Sequence, residues 1–387
     1  MIAFSHRSSR FGRGLLAATL MSAAIGVLAA APSRAASITL NETGSTLLYP
    51  LFTQWIPDYA KVVPDVTLTA AATGSGAGEQ AALAGKVSIG ASDAYLSDKV
   101  ASQNPNILDI PLAISAQTIN YNLPGLNGAN IKIDGPTLAA IYSGTVTQWD
   151  DAAIKAMNPG VALPHQTIVP VRRAEGSGDT FIFTQFLDFA TETKVAEPGY
   201  DATISGTNMG TVIAWPNVGT TISWPNVAAE KTATGNDGLV QTLAATPYAI
   251  GYVGISYAGQ VAKAGLGTAT IKNEDGKFVL PTPQSISHAA ARLDPRTPSY
   301  ERITLIFAPG DDSYPLVNYE YAIISKQQPD AATADALRTF LLWSISEIDG
   351  NSDKYLKSVG FLPLPNFVRG LSEAQIAEIK GTPNTGD

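Results

Sequence analysis

The chain contains no cysteine. A disulfide framework, a thiolate nucleophile, a cysteine-ligated metal centre and a lipid-modified N-terminal Cys are therefore excluded. The absence suits a protein that meets an oxidising compartment and avoids stray disulfides. Histidine is scarce as well: His6, His165 and His288 are the three in 387 residues, and none sits in a recognisable motif. Without a metal-ligand cluster, so few imidazoles argue against a secreted phosphatase or serine hydrolase. No Gly-x-Ser-x-Gly elbow occurs, since Thr73 precedes Gly74-Ser75 and Glu175 precedes Gly176-Ser177. No Lys follows these glycines, which excludes a P-loop.

Positive charge is also in short supply, with 25 Lys and Arg against 33 Asp and Glu. Four of the basic residues, Arg7, Arg10, Arg13 and Arg34, lie in the first 35 positions. That stretch reads as a secretory signal: an Arg-bearing start, an apolar run from Leu15 to Ala31, and Ser33-Arg34-Ala35 as the cleavage site. The apolar run is short for a spanning helix, and no later segment is long enough either. Cleavage after Ala35 leaves 21 basic and 33 acidic residues, a net charge of −12. Such a chain is a poor partner for nucleic acid. To bind an anion it must use local dipoles and one or two cations against its own long-range field.

What the chain does have is a device repeated three times. Arg173-Ala174-Glu175-Gly176-Ser177-Gly178-Asp179 follows a β-like run (Thr167 to Val171) and precedes an aromatic, helix-length run (Thr180 to Ala190). Thr43-Gly44-Ser45-Thr46-Leu47 and Thr73-Gly74-Ser75-Gly76 sit in the same context. A tight Gly/Ser turn between strand and helix leaves backbone N–H groups unpaired at a helix N-terminus, where the dipole attracts anions. Ser177 adds a hydroxyl, and Arg173 adds a planar, permanently charged fork. Three such turns converging on one point make an oxyanion site.

Along the chain, residues 36–120 read as β/α units, with strands at Ser37 to Leu40, Val66 to Ala70, Lys86 to Ala91 and Ile107 to Ile114. Helices are expected over Ser45 to Val62 and Gly76 to Ala84. Residues 121–316 read as a second α/β lobe. It carries a Pro-opened helix ending at Tyr142, a helix from Gly235 to Ala245, and a Gly-punctuated strand from Ala249 to Ile255. Asn236-Asp237-Gly238 reads as a simple cap and turn. The repeat Trp215-Pro216-Asn217-Val218 and Trp224-Pro225-Asn226-Val227 reads as a local duplication that packs two indoles. From 317 onward come a long β run (Val317 to Ser325), an amphipathic helix (Asp330 to Ile345), a last short helix (Leu371 to Ile379) and a disordered tail from Gly381. This block, 317–387, is too small to stand alone and should complete the first lobe. The class is α/β: two hinged lobes, each with a mixed, mostly parallel sheet, and a ligand cleft between them.

Taken with Gly90-Ala91-Ser92-Asp93-Ala94, Ile141-Tyr142-Ser143-Gly144, Trp149-Asp150 and Ala249-Ile250-Gly251-Tyr252-Val253, the turns resemble the periplasmic phosphate-binding proteins of ABC-type phosphate importers. The resemblance covers the chain from about Ala36 to about Ile379. It implies a monomeric periplasmic receptor, not an enzyme, that closes on inorganic phosphate and delivers it to membrane permease subunits without cofactor or metal. By position it implies phosphate contacts from Ser45, Thr46 and the Leu47 backbone in the first turn, and from Ser75 in the second. Asp93 should accept from a protonated phosphate oxygen. Arg173, Ser177, Gly178 and Asp179 should contact the ligand from the other lobe, and Glu175 should restrain Arg173. Much of the family has Thr where this chain has Asp179, and an aromatic residue where it has Leu47.

Phosphate near neutrality keeps at least one proton, its second ionisation being about 6–7 by analogy with phosphate esters. Asp93 and Asp179 can each accept such a proton, whereas sulfate would present them with bare oxygen. An unsatisfied buried acceptor costs about 1–3 kcal/mol and more when charged, enough for roughly 10- to 1,000-fold discrimination. Two further readings remain beside this one: a receptor for another oxyanion, such as sulfate, molybdate or phosphonate, and a secreted surface or adhesion protein that keeps the fold.

Overall fold

The computed structural model describes residues 37–191, 215 and 217–382, together with Met1 and Ala3. The chain divides into two units, Met1–Ala36 and Ser37–Asp387. The signal sequence expected at 1–35 lies outside the described residues, apart from Met1 and Ala3. Among the described residues no helix is long and apolar enough to cross a membrane.

The second unit opens as alternating strands and helices: β1 (Ile38–Gly44), α1 (Tyr49–Val62), β2 (Val66–Thr69), α2 (Ser75–Leu83), β3 (Ile89–Ser92), α3 (Asp98–Gln103) and β4 (Ile107–Tyr121). There follow β5 (Lys132–Ile133), α4 (Gly135–Tyr142), α5 (Ala152–Met157), β6 (Val169–Arg173) and α6 (Gly178–Thr191). Next come β7 (Lys231–Ala233), α7 (Gly235–Ala244), β8 (Ala249–Gly254), α8 (Ala258–Lys263), β9 (Gly267–Thr268), β10 (Thr270–Lys272), β11 (Phe278–Val279) and α9 (Pro283–Leu293). The chain ends with β12 (Val317–Ser325), β13 (Gln327–Gln328), α10 (Ala331–Ile345), α11 (Asp353–Val359), α12 (Asn366–Ile376) and β14 (Lys380–Gly381).

The main sheet runs β2-β1-β3-β12-β4-β8-β6-β7, with β9 also paired to β4. β1 is parallel to β2 and β3, and β6 is parallel to β7 and β8. Between these parallel edges lie antiparallel pairings of β12 with β3 and β4, and of β4 with β8. The fold is thus α/β with a mixed sheet in two lobes. Strand β12, from the last fifth of the chain, is inserted between β3 and β4.

Strand β4 is central to both halves. Its residues Ile107 to Ala116 pair with β12, and Gln117 to Tyr121 pair with β8. The sequence reading ended this strand at Ile114, because Ser115, Gln117 and Asn120 break the apolar run. All three are buried, and each has a partner: Ser115 donates to Asn318 at 2.9 Å, Gln117 to the Asp179 carbonyl at 2.7 Å, and Asn120 to Thr268 at 3.0 Å. Buried polar groups persist where they are paired.

Local signals set most helix starts. Asp134 caps α4 by accepting from Thr137 N at 3.0 Å, and Asp330 caps α10 by accepting from Thr333 N at 2.7 Å. Two aromatic clusters fill the interior. Phe52, Trp55 and Tyr59 of α1 pack on Phe340 and Trp343 of α10. Phe183 of α6 stacks on Tyr252 of β8 with centroids 4.5 Å apart, and Trp215 meets Trp224 edge-on at 5.9 Å. The repeat therefore does pack two indoles. The expected tail differs in its first residues: Gly381 pairs with Gln328, so the chain stays in strand through β14. Residues 383–387 lie outside the described set.

Candidate functional site

Four connections meet at one place. The turn between β1 and α1 carries Ser45, Thr46 and Leu47. The N-terminus of α2 carries Ser75. Asp93 follows β3 directly. The turn between β6 and α6 carries Arg173 to Asp179.

Asp93 is buried at 2% exposure. Its carboxylate accepts from the Ser45 hydroxyl, and from Ser75 Oγ at 3.2 Å. Ser75 Oγ in turn accepts from the Asp93 backbone N–H at 3.2 Å. Ser45 Oγ also accepts from Leu48 N at 2.8 Å, so this hydroxyl is held from both sides. Burial, then the negative charge of Asp179, pushes the Asp93 carboxyl up to about 7. The hydroxyl of Ser45, a hydrogen bond from Glu320 and the charge of Arg173 oppose that rise.

Gly178 opens α6 directly against this carboxylate. A Cβ placed there would lie 2.5 Å from Asp93 Oδ2 and 2.6 Å from Ser75 Oγ, so only glycine fits. The lobes touch elsewhere too: Gly76 N donates to Gly176 O at 3.1 Å, and Ser256 Oγ donates to Leu47 O at 2.7 Å. Ser177 is fully buried, and its Oγ accepts from Thr180 N at 3.4 Å.

Arg173 is held by acids. Its Nε donates to Glu175 Oε1 at 2.7 Å, Nη2 pairs with the same oxygen, and Nη1 reaches Asp179 Oδ2 at 2.5 Å. The Glu175 restraint expected from sequence is therefore present as an ion pair. Burial works against the Arg173 charge, but Asp179 and Glu175 outweigh it and hold the guanidinium above its ordinary range. Tyr252 Oη accepts from Arg173 N at 3.1 Å and meets Thr180 Oγ1 at 2.9 Å.

Asp179 is held by protein partners. It is fully buried, but its oxygens already accept from Arg173, from Asn236 Nδ2 at 2.7 Å and from Gln117 Nε2 at 3.2 Å. Burial raises its pKa; Arg173, Gln117 and Asn236 pull the other way. A carboxylate so engaged anchors its neighbours. Thr46 is joined to it through Asn236, whose Nδ2 donates to Thr46 Oγ1 at 2.9 Å and whose backbone N–H reaches the same oxygen at 3.3 Å. Leu47 is fully buried over Gly254, and Gly254 N donates to Asn236 Oδ1 at 2.8 Å.

The nine residues picked from sequence thus fall in one connected network. Asn236 was missed as a member. The cap-and-turn reading of Asn236-Asp237-Gly238 fails for it, because the side chain is fully buried and does not cap α7. An Asn at the second position of a helix, where a solvent-facing residue would serve, is the one local hint. Gln117 and Glu320 were missed too, and their roles come only from strand neighbours. Neither remaining histidine is near: His165 is exposed beside Asp150, and His288 pairs with Asp312. Among the described residues no group of three His, Cys, Asp or Glu side chains is arranged to hold a metal ion.

Chemically, the network offers hydroxyls, one guanidinium and the N-terminal ends of α2 and α6 around a buried acid. This geometry fits a small oxyanion that still carries a proton. A family model described as a PBP superfamily domain matches residues 29–347. The chain belongs to the PBP superfamily. Within that superfamily it is similar to a phosphate-binding protein of Methanocaldococcus jannaschii, at 28% identity over 362 residues, covering 89% of this chain and 87% of the relative. Its fold is similar to that of a high affinity periplasmic phosphate-binding protein solved with phosphate bound, with TM-score 0.65 and 20% identity, covering 90% of this chain and all of the other. It is also similar to a phosphate-binding protein from Stenotrophomonas maltophilia, with TM-score 0.62 and 20% identity, covering 87% of this chain and 93% of that one.

Proposed function

We propose that this protein is the substrate-binding component of an ABC transporter: it captures inorganic phosphate between its lobes and delivers it to membrane permease subunits. The observation that carries the reading is Asp93, a buried carboxylate ringed by Ser45 and Ser75 and faced by the bare backbone of Gly178. The names of the relatives support it. Ser75, Ser177, Thr46 and the amides of Leu47 and Gly178 donate to the bare phosphate oxygens. Arg173 supplies the cation. Asp93 accepts from the oxygen that keeps its proton. Asp179 fixes Arg173 and Asn236 in place, and Ser45 holds Asp93.

The lobes of this reading are 36–120 with 317–387, and 121–316. Closure brings Gly178 and Arg173 onto Ser75 and Asp93 and excludes water, which strengthens each charged hydrogen bond. The closed form is what the permease recognises. Residues 1–35 are an export signal, and the mature protein works in the periplasm. In this reading the site binds and releases its ligand unchanged.

The test is calorimetric titration of the mature protein, stripped of ligand by partial unfolding. One-to-one binding of phosphate, with no phosphate released from a chromogenic ester, supports the receptor. Steady ester hydrolysis would replace it with a phosphatase. Binding of no oxyanion would leave the surface-protein reading.

A further inference from the structure

Behind Asp93 lies a second carboxyl that the phosphate site does not touch. Glu320, on β12, is fully buried. Its Oε1 accepts from Ser115 Oγ at 2.5 Å and from Asn318 Nδ2 at 2.9 Å. Its Oε2 is buried, and among the described residues no donor reaches it. The Glu320 and Asp93 carboxyls lie close enough to act on each other's protons. Asn318 Nδ2 also reaches the Asp93 carbonyl at 3.3 Å, so the same two β12 residues brace Asp93.

The backbone is shaped to bring this about. Glu320 lies opposite Ala113 and Tyr321 opposite Pro111, so the register slips by one residue past Leu112. Pro111 has no ladder N–H to give, and a bulge of this kind re-aims side chains beside a site.

Two buried carboxyl groups that act on each other do not both ionise, since like charges in a low dielectric repel strongly. One proton lies between them. Resting on the phosphate reading above, we propose that Glu320 is the positioning residue of the site: it keeps that proton and donates it in a hydrogen bond to Asp93. Asp93 thereby stays ionised and turned toward the cleft as the acceptor for the protonated ligand oxygen. The partners favour this assignment. Asp93 accepts from Ser45 and Ser75 and feels Arg173, all of which stabilise its charge. Glu320 has neutral partners, Ser115 and Asn318, and faces the Asp93 charge; burial and that charge hold it well above the ordinary carboxyl range. Asp179 from the other lobe and Glu79 from α2 add negative charge near Asp93.

Three forms of the mature protein decide it: wild type, E320Q and E320L. Infrared difference spectra of the ligand-free protein at pH 7 should show a protonated-carboxyl stretch that E320Q lacks. Phosphate affinity followed against pH should show the acid limb of E320L displaced upward by about one pH unit, a tenfold loss on that limb. E320Q, which can still donate through its amide, should return the limb to its wild-type place. No Glu320 band in the infrared, an unmoved limb in E320L, or E320Q behaving as E320L would each overturn the proposal. Where E320L fails to fold, the infrared band and E320Q settle the question. Wild type that binds no phosphate would sink the phosphate reading alone, since the infrared band is read without ligand.

Discussion

Two buried aspartates face the same site from opposite lobes, and their surroundings set them apart. Asp179 is met by a cation and two amides: Arg173, Asn236 and Gln117. Asp93 is met by two hydroxyls and another carboxyl. The first is held in place by these partners and helps build the site. The second has its proton equilibrium pushed up to about 7, where a ligand proton can decide it. Residue type alone does not assign a role to a buried acid; its partners do. We therefore propose that Asp93, rather than both acids, reads the ligand's proton.

The comparison can be broken at several points. The largest effect is expected for D93N. An amide in place of the acceptor leaves the ligand's proton without a partner, and preference for phosphate over sulfate should fall by about 10- to 100-fold in competition titration. G178A should come next, because its Cβ meets Asp93 and Ser75 and holds the lobes apart. Phosphate affinity should drop by tenfold or more by calorimetry. D179N should weaken phosphate by about tenfold, as the loss of one charged hydrogen bond to Arg173 implies, yet keep the preference over sulfate. A D179N variant that lost selectivity would make the two acids equivalent and undo the distinction.

The smallest effect is on stability against pH. Burial pushes Glu42 and Glu301 up to about 8, Glu79 and Asp109 to about 7, and Asp294 to about 6. Each binds its proton more tightly folded than unfolded. Their contribution is therefore complete below about pH 4 and is lost as pH rises through 6–8. The ligand-free protein should melt a few degrees higher at pH 5.5 than at pH 8 in scanning calorimetry; the opposite slope would place these carboxyls as ionised in the fold.

Much of this was legible in the sequence because it is encoded locally. The Gly-Ser turns, the Asp330 to Ile345 helix and the alternating strands depend on neighbours a few positions away, and each appears close to where it was read. The members that escaped are held by distant partners. Asn236 is useful only because Thr46, 190 positions away, and Asp179 stand beside it. Glu320 gains its place from Ser115, 205 positions away, and from a register slip that no local pattern announces. The polar half of β4 looked like a strand end for the same reason: the partners that make Ser115 and Gln117 acceptable in the core are remote in sequence.

The central claim is that Asp93 reads the ligand's proton. The most direct measurement is calorimetric titration of ligand-stripped wild type and D93N with phosphate and with sulfate at pH 7. The account predicts one-to-one phosphate binding and no sulfate response for wild type, and a D93N protein whose two affinities draw together. A wild type that takes sulfate as well as phosphate, or a D93N protein as selective as wild type, would contradict it.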